Sequence, residues 1–522
     1  MADHRRRMTT STAPSRPTLR WDPPGKGDWR GLHDHFPRAL TPEYQRLLAR
    51  GMEEGEAIYF EHYGLPARTL QPAFVHGRVF VSAAPLIGPA GARLPPNWLM
   101  WLAVRLVPAF RRRAAAAEAT LRQRPWLAEA DHWYAVERPA WQARNAALDA
   151  VDPAELDDRT LADHLRTLRA NADEGYRHHF RLHGPDLLPT ALFLVRAQDW
   201  GIAPDTAAGL LRGSSPASRG AGQLPAWRLV TGYDLDERCA CELPSQRRRT
   251  SAPARPPATL DPRVEAKMRE RVPLAERDEW DDRLHDARAT YGLRDDNGLL
   301  TAAWPVGLLR RAMLEAGRRL AGRGALRDPV HAVELTVEEL VDLLERGAPG
   351  PSADEASARL AERRRLSAVP APASLGPDLD LPLRALPPAM GLLTRCLLAL
   401  RDLGITPPGE RAPLRGVGIG TEAVTGRACV ASDPAEALAR FEAGDILVTR
   451  GTCPSWNALL AVAGGIVTEE GGPLSHAAVI ARELGLPALI GTAEATTLLV
   501  DGAAVLLDPA AGVVRLLEPA HG

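Results

Sequence analysis

Lysine is almost absent from this chain. Lys26 and Lys267 are the only two among 64 Lys and Arg residues. Chemistry that needs several lysines, such as gripping a nucleoside triphosphate with lysine side chains, is therefore excluded. Cysteine is also scarce. Cys239, Cys241, Cys396, Cys429 and Cys453 are odd in number and scattered, which excludes a disulfide framework and reads as reduced thiols of a cytoplasmic protein. The spacing of Cys239 and Cys241 fits neither a redox pair nor a zinc knuckle. Charge of one sign is lacking too. A formal net charge of −1 provides no global field for nucleic acid or an anionic membrane. No apolar run is long enough to span a bilayer. The most apolar stretch, "NWLMWLAVRLVPAF" (Asn97–Phe110), is interrupted by Arg105 and Pro108 and reads as a buried helix. The basic start, "MADHRRRMTTSTAPSRP", has no apolar core behind it and is not a secretory signal.

What is present is long enough for two to four domains in 522 residues. Residues 1–20 read as a polar, disordered tail. A mainly helical body is expected over 21–395, with an internal break at 244–260 where apolar content falls. Within it, "AFVHGRVFVSAAP" (Ala73–Pro85) predicts a hairpin around a His-Gly turn. Leu161, Leu165 and Leu168 mark a helix entered through Asp157. Thr336 and Glu339 form a capping-box pattern. Residues 396–413, containing "GITPPGERAP", predict a linker. From 414 to 517 the pattern changes to short β-like runs ("GRACV", "DILVT", "GGIVT", "PALIG", "AAVLLD", "GVVRLL") with one helix among them, a compact α/β module. The fold class is thus a largely helical body followed by a C-terminal α/β domain.

The chemistry concentrates in "GGPLSHAAVIARELGLPALIG" (Gly471–Gly491). Gly471 and Gly472 permit a turn whose N–H groups approach a ligand closely. Ser475 is a good N-cap, which places His476 in the first turn of a helix ended by Gly485. Free N–H donors and the helix dipole there favour an anion. The same dipole disfavours a positive ring, keeping His476 neutral and nucleophilic. Arg482, on the same helix, is a candidate to fix the segment or meet phosphate oxygens. The plainer alternative is a capped helix whose histidine packs on neighbouring strands. A Ser475–His476 hydrolase dyad is disfavoured, because adjacent side chains diverge and no GxSxG elbow accompanies them.

The stretch "GGIVTEEGGPLSHAAVIARELGLPALIG" closely resembles the signature of the mobile, swivelling phosphohistidine domain of phosphoenolpyruvate-utilising enzymes. Upstream, "GDILVTRGTCPSW" (Gly444–Trp456) resembles that domain's first long strand and its T-x-P-x-W stretch. Downstream, "DGAAVLLDPAAGVVRLL" resembles its closing strands. The resemblance implies that His476 shuttles a phosphoryl group, with Gly471, Gly472, Ser475 and Arg482 positioning phosphate. It also implies a layout nearest to rifampin phosphotransferase without its ATP-grasp domain. Leu474 stands where dikinases carry a regulatory threonine, so that form of control is not expected.

These readings lead to expectations about function, ligands and the acceptor site. The leading one is a phosphotransferase component that takes phosphate from a separate ATP-grasp protein, where ATP and Mg²⁺ would bind, and gives it to a small-molecule acceptor in the body. The alternative is a non-catalytic relay or regulatory module that retains the fold. No metal or cofactor is expected on this chain, nor nucleic acid or membrane as partner. For the acceptor site, His179 and His183 in "YRHHFRLHGPDLLP" fall at i, i+4 without an obvious acidic third ligand for a metal. Arg294, Asp295 and Asp296 precede a helix, with either aspartate a candidate base toward a hydroxyl. Twelve tryptophans are compatible with an apolar pocket as well as with core.

Overall fold

The computed structural model describes residues 19–33, 35–88, 96–214, 234–236, 262–346, 350–377, 383–404, 413–432, 434–452 and 456–517. The expected tail (but for its last two residues), the expected break at 244–260, Cys239, Cys241 and Cys453 lie outside them.

The body is helical, as the apolar periodicity predicts. Its principal helices are α1 (Pro42–His62), α2 (Asn97–Leu106), α3 (Pro108–Gln123), α4 (Asp158–Arg181), α5 (His183–Asp199), α6 (Arg277–Thr290), α7 (Trp304–Gly322), α8 (Val337–Arg346) and α9 (Pro388–Gly404). Their starts are written in local chemistry. Asp157 accepts the Thr160 N–H at 2.8 Å to cap α4. Thr336 and Glu339 exchange bonds of 2.8 and 3.2 Å ahead of α8, a capping box. The leucines at 161, 165 and 168 are buried in one large core with α1 and α7. Because α9 continues to Gly404, the first nine residues of the expected linker are helical, and 405–412 lie outside the described residues.

A small sheet, ordered β2-β3-β1-β4, flanks the helices. It comprises β1 (Trp29–Gly31), β2 (Ala67–Val75), β3 (Arg78–Pro85) and β4 (Ser374–Leu375). The β2–β3 hairpin turns at His76 and Gly77, both at positive φ. Its partners β1 and β4 come from segments with no alternating pattern, so only the hairpin was visible in the sequence.

The C-terminal module is a seven-stranded mixed sheet ordered β11-β10-β6-β7-β8-β9-β5. Its strands are β5 (Val417–Ile419), β6 (Val424–Val430), β7 (Ile446–Thr449), β8 (Gly465–Thr468), β9 (Ala488–Ile490), β10 (Ala504–Asp508) and β11 (Val513–Leu516). The central strands β6 to β9 are parallel, and β5, β10 and β11 join antiparallel. An Arg415–Val513 bridge brings the two edges together, so the sheet curls on itself. Both faces of the parallel strands are covered by apolar clusters, which is why those runs are continuously apolar. Helix α10 (His476–Leu484) packs on this sheet.

Helices α1 and α4 meet unusually closely. A Cβ on Gly51 would lie 2.5 Å from the Tyr176 Cβ, and one on Gly55 2.4 Å from the Arg177 carbonyl. The two glycines, one turn apart, let the backbones touch. We predict that Gly55→Ala destabilises the body by about 1–3 kcal/mol, read as a lower urea midpoint. An unchanged midpoint would mean that the helices can move apart without loss.

Candidate functional site

Two loops of the C-terminal module build the site, one after β7 and one after β8. Gly471 adopts φ +110°, and a Cβ there would collide with Ser475 at 2.7–2.8 Å. The turn therefore requires glycine. The Ser475 N–H donates to the Gly472 carbonyl at 2.9 Å, closing the turn just before the helix. Ser475 caps α10 by accepting the Ala478 N–H, and Gly485 ends the helix in the left-handed conformation at φ +61°. His476 is the first helical residue and is half-buried. Its Nδ1 lies 2.9 Å from the Thr452 hydroxyl, delivered by the loop after β7. Arg450 and Glu470 pair at 2.7 Å and clip the two loops together.

Arg482 is not directed at this turn's outer face. Its guanidinium is buried, donates to the Pro473 carbonyl, and meets the Tyr291 hydroxyl of the body. Burial pushes its pKa down, and Tyr291 and Asp205 only partly offset this. Arg482 thus joins the loop to the body through Pro473 and Tyr291. Beside it, Glu483 is fully buried and accepts the Gly213 N–H at 3.0 Å. Leu474 and Val479 enter a core cluster with Phe193, Leu194, Trp280, Leu284 and Tyr291 of the body. The position where a regulatory threonine would stand is a docking residue. On the other side, Glu470 and Arg450 lie close enough to His33 and Arg78 to bias both. Burial is the larger influence on each and lowers them, Arg78 to about 10.

In the body, His179 and His183 do come together, ring centroids 5.0 Å apart. His183 Nδ1 stands 3.7 Å from Glu56 Oε1 on α1. Glu56 is almost wholly buried, and this pushes its carboxyl up to about 8. Tyr59 lies within the field of both Glu56 and Asp186, and burial chiefly holds its hydroxyl well above the usual range. Asp296, a candidate base in the sequence, lies inside the body. Its carboxylate is buried and accepts from Trp133 Nε1 at 3.0 Å and Arg138 Nε at 2.8 Å, a structural pairing. The side chains of Arg294 and Asp295 lie outside what is described, although their backbone is helical. Asn297, next in line, donates to the His179 carbonyl at 3.3 Å, so this segment borders the histidine pair. Among the described residues, no group of three or more His, Cys, Asp and Glu is arranged to hold a metal.

Sequence reasoning missed Thr452, Glu56 and the docking contacts. Thr452 stood in the quoted T-x-P-x-W stretch, which was a usable signal. Glu56 had none, because a glutamate in mid-helix reads as solvated.

Comparison with known proteins follows the same geography. Residues 441–512 match the profile of a family described as "PEP-utilising enzyme, mobile domain". The C-terminal module is a mobile domain of the PEP-utilising enzymes. A phosphoenolpyruvate synthase of Aeropyrum pernix is 45% identical over 114 residues, 21% of this chain and 14% of the relative. A rifampicin phosphotransferase of Streptomyces is 48% identical over 105 residues, 20% of this chain and 12% of the relative. A chondramide synthase of Chondromyces crocatus is 31% identical over 252 residues, 47% of this chain and 6% of the relative. The chain thus matches no more than 14% of the length of these three relatives.

Two predictions follow from the site. Leu474→Asp places a charge in the docking core, and the mobile domain should detach. Small-angle X-ray scattering would then give a larger radius of gyration, and an unchanged radius would show that docking does not depend on this side chain. For Glu56, the folded carboxyl keeps its proton up to about pH 8, whereas the unfolded one releases it near 4.5. Stability therefore falls as pH rises between those values. Urea midpoints at pH 5 and 8 should differ in wild type and much less in Glu56→Gln, whereas equal slopes would mean that Glu56 is ionised in the fold.

Proposed function

We propose that this protein is a phosphotransferase component in which His476 carries a phosphoryl group from an ATP-grasp protein on a separate chain to a small-molecule acceptor bound in the helical body. The observation that carries this reading is the 2.9 Å contact between Thr452 and His476 Nδ1 at a capped helix start. With Nδ1–H donating to Thr452, the ring's nucleophilic lone pair is on Nε2. In loading, Nε2 forms a bond to phosphorus as the donor's P–O bond breaks, and the donor leaves with the electron pair. In delivery, an acceptor hydroxyl oxygen bonds to phosphorus as the P–N bond breaks. The hydroxyl proton passes to a base in the acceptor pocket, and the imidazole is regenerated. Phosphoryl transfer relies on positioning and charge stabilisation more than on covalent machinery. The Gly471–Gly472 turn and the N–H groups at the start of α10 suit that role. ATP and Mg²⁺ belong, in this reading, to the donor chain, consistent with only two lysines in 522 residues. The contact of α10 with the body supports delivery there, and the His179–His183–Glu56 group is the polar cluster best suited to an acceptor.

The test is intact mass and acid–base stability of the protein after incubation with ATP and a lysate of the source organism, or with phosphoenolpyruvate. Wild type should gain an acid-labile, base-stable phosphoryl group that His476→Ala lacks, and Thr452→Val should load at least about tenfold more slowly, as for loss of one orienting hydrogen bond. If no wild-type sample gains such a group, the carrier role is rejected in favour of a binding module.

A further inference from the structure

Helix α2 departs from its expected burial. Only Met100 and Val104 are buried, against Ala385, with Phe110 and Leu386 alongside. Trp98 (68% exposed), Leu106 (65%) and Trp101 (48%) face outward with Leu99 and Leu102. A helix apolar on nearly every face normally lies in a core. A contiguous exposed apolar patch marks an interaction site.

The surrounding charge indicates what the patch meets. Residues 62–117 contain no Asp or Glu and seven arginines, in a chain whose net charge is −1. Three of those arginines rim the patch in exposed positions. Arg105 stacks its guanidinium 3.9 Å from the Trp101 ring centroid, and Arg111 and Arg112 open α3 just beyond Pro108. Indole rings at the water–lipid boundary, with arginines reaching to headgroup phosphates, are the pattern of a helix lying in a membrane interface. Clustered arginine adds attraction to anionic headgroups. An uncharged protein groove would satisfy the tryptophans and leave this arginine rim unanswered.

We propose that α2 and the first turn of α3 form a docking surface for an anionic lipid bilayer, with α2 lying along the headgroup region and the arginines on phosphates. In this arrangement α2 rests on the membrane surface, and among the described residues no helix is long and apolar enough to span one. The inclusive charge count that argued against a membrane averages away this local segment. The proposal is independent of the phosphoryl relay.

The experiment is flotation of the full chain with unilamellar vesicles of phosphatidylcholine alone or mixed with phosphatidylglycerol. Wild type should float with the mixed vesicles and remain behind with phosphatidylcholine alone. The Trp98→Ser/Trp101→Ser and Arg111→Glu/Arg112→Glu variants should each bind at least about tenfold more weakly, and salt should weaken wild-type binding. The substituted residues are exposed, so circular dichroism should show all variants folded. Failure of wild type to float with the mixed vesicles, equal binding to both vesicle types, or unchanged binding by both variants would each overturn the proposal. A wild-type dimer that dissociates in the tryptophan variant, without vesicle binding, would assign the helix to a second copy and overturn it as well.

Discussion

The arrangement of this protein turns on one contact, the burial of α10 against the body. Leu474 and Val479 complete an apolar cluster whose other members come from α5, α6 and their neighbours. Fully burying an aliphatic side chain is worth roughly 1.5–3 kcal/mol. Around that apolar centre, Arg482 joins Pro473 to Tyr291, and Glu483 takes the Gly213 N–H. Buried charged groups of this kind add little net stability but penalise any misplaced docking heavily. The apolar centre therefore supplies adhesion, and the polar ring supplies register.

Register matters because Val479, Arg482 and Glu483 share one nine-residue helix with His476, and Leu474 stands two residues before it. His476 occupies the first position, where the cap and the dipole act, while Val479, Arg482 and Glu483 lie farther along. The orientation of α10 on the body therefore fixes the position of the imidazole, whose Nε2 is buried in this arrangement. Thr452, from the opposite loop, fixes the ring's own rotation.

Much of this was legible in the sequence, for identifiable reasons. Six of the seven module strands matched β-like runs, and the parallel strands β7, β8 and β9 read most clearly because every residue in them is buried. Strand β5 escaped notice, since three residues are too few to show a pattern. The Ser475 cap and the Gly485 stop were local signals and appear as expected. Tertiary partners were not legible. Nothing in "HAAVIAREL" distinguishes an arginine that meets a ligand from one that meets Tyr291, and nothing near Asp296 announces Trp133 and Arg138. The same limit misplaced α2. Apolar composition implies that a helix must be covered, without saying whether the cover is the chain's own core.

The position of Leu474 and Val479 also has a kinetic meaning. Undocking the mobile domain returns two aliphatic side chains to water, roughly 3–6 kcal/mol if both become fully exposed. Each 1.4 kcal/mol is a factor of ten in population, so the released form would be about a hundredfold to ten-thousandfold rarer than the docked one. The docked position is therefore the one this module occupies by default, and it is left only where something offsets the cost of returning Leu474 and Val479 to water.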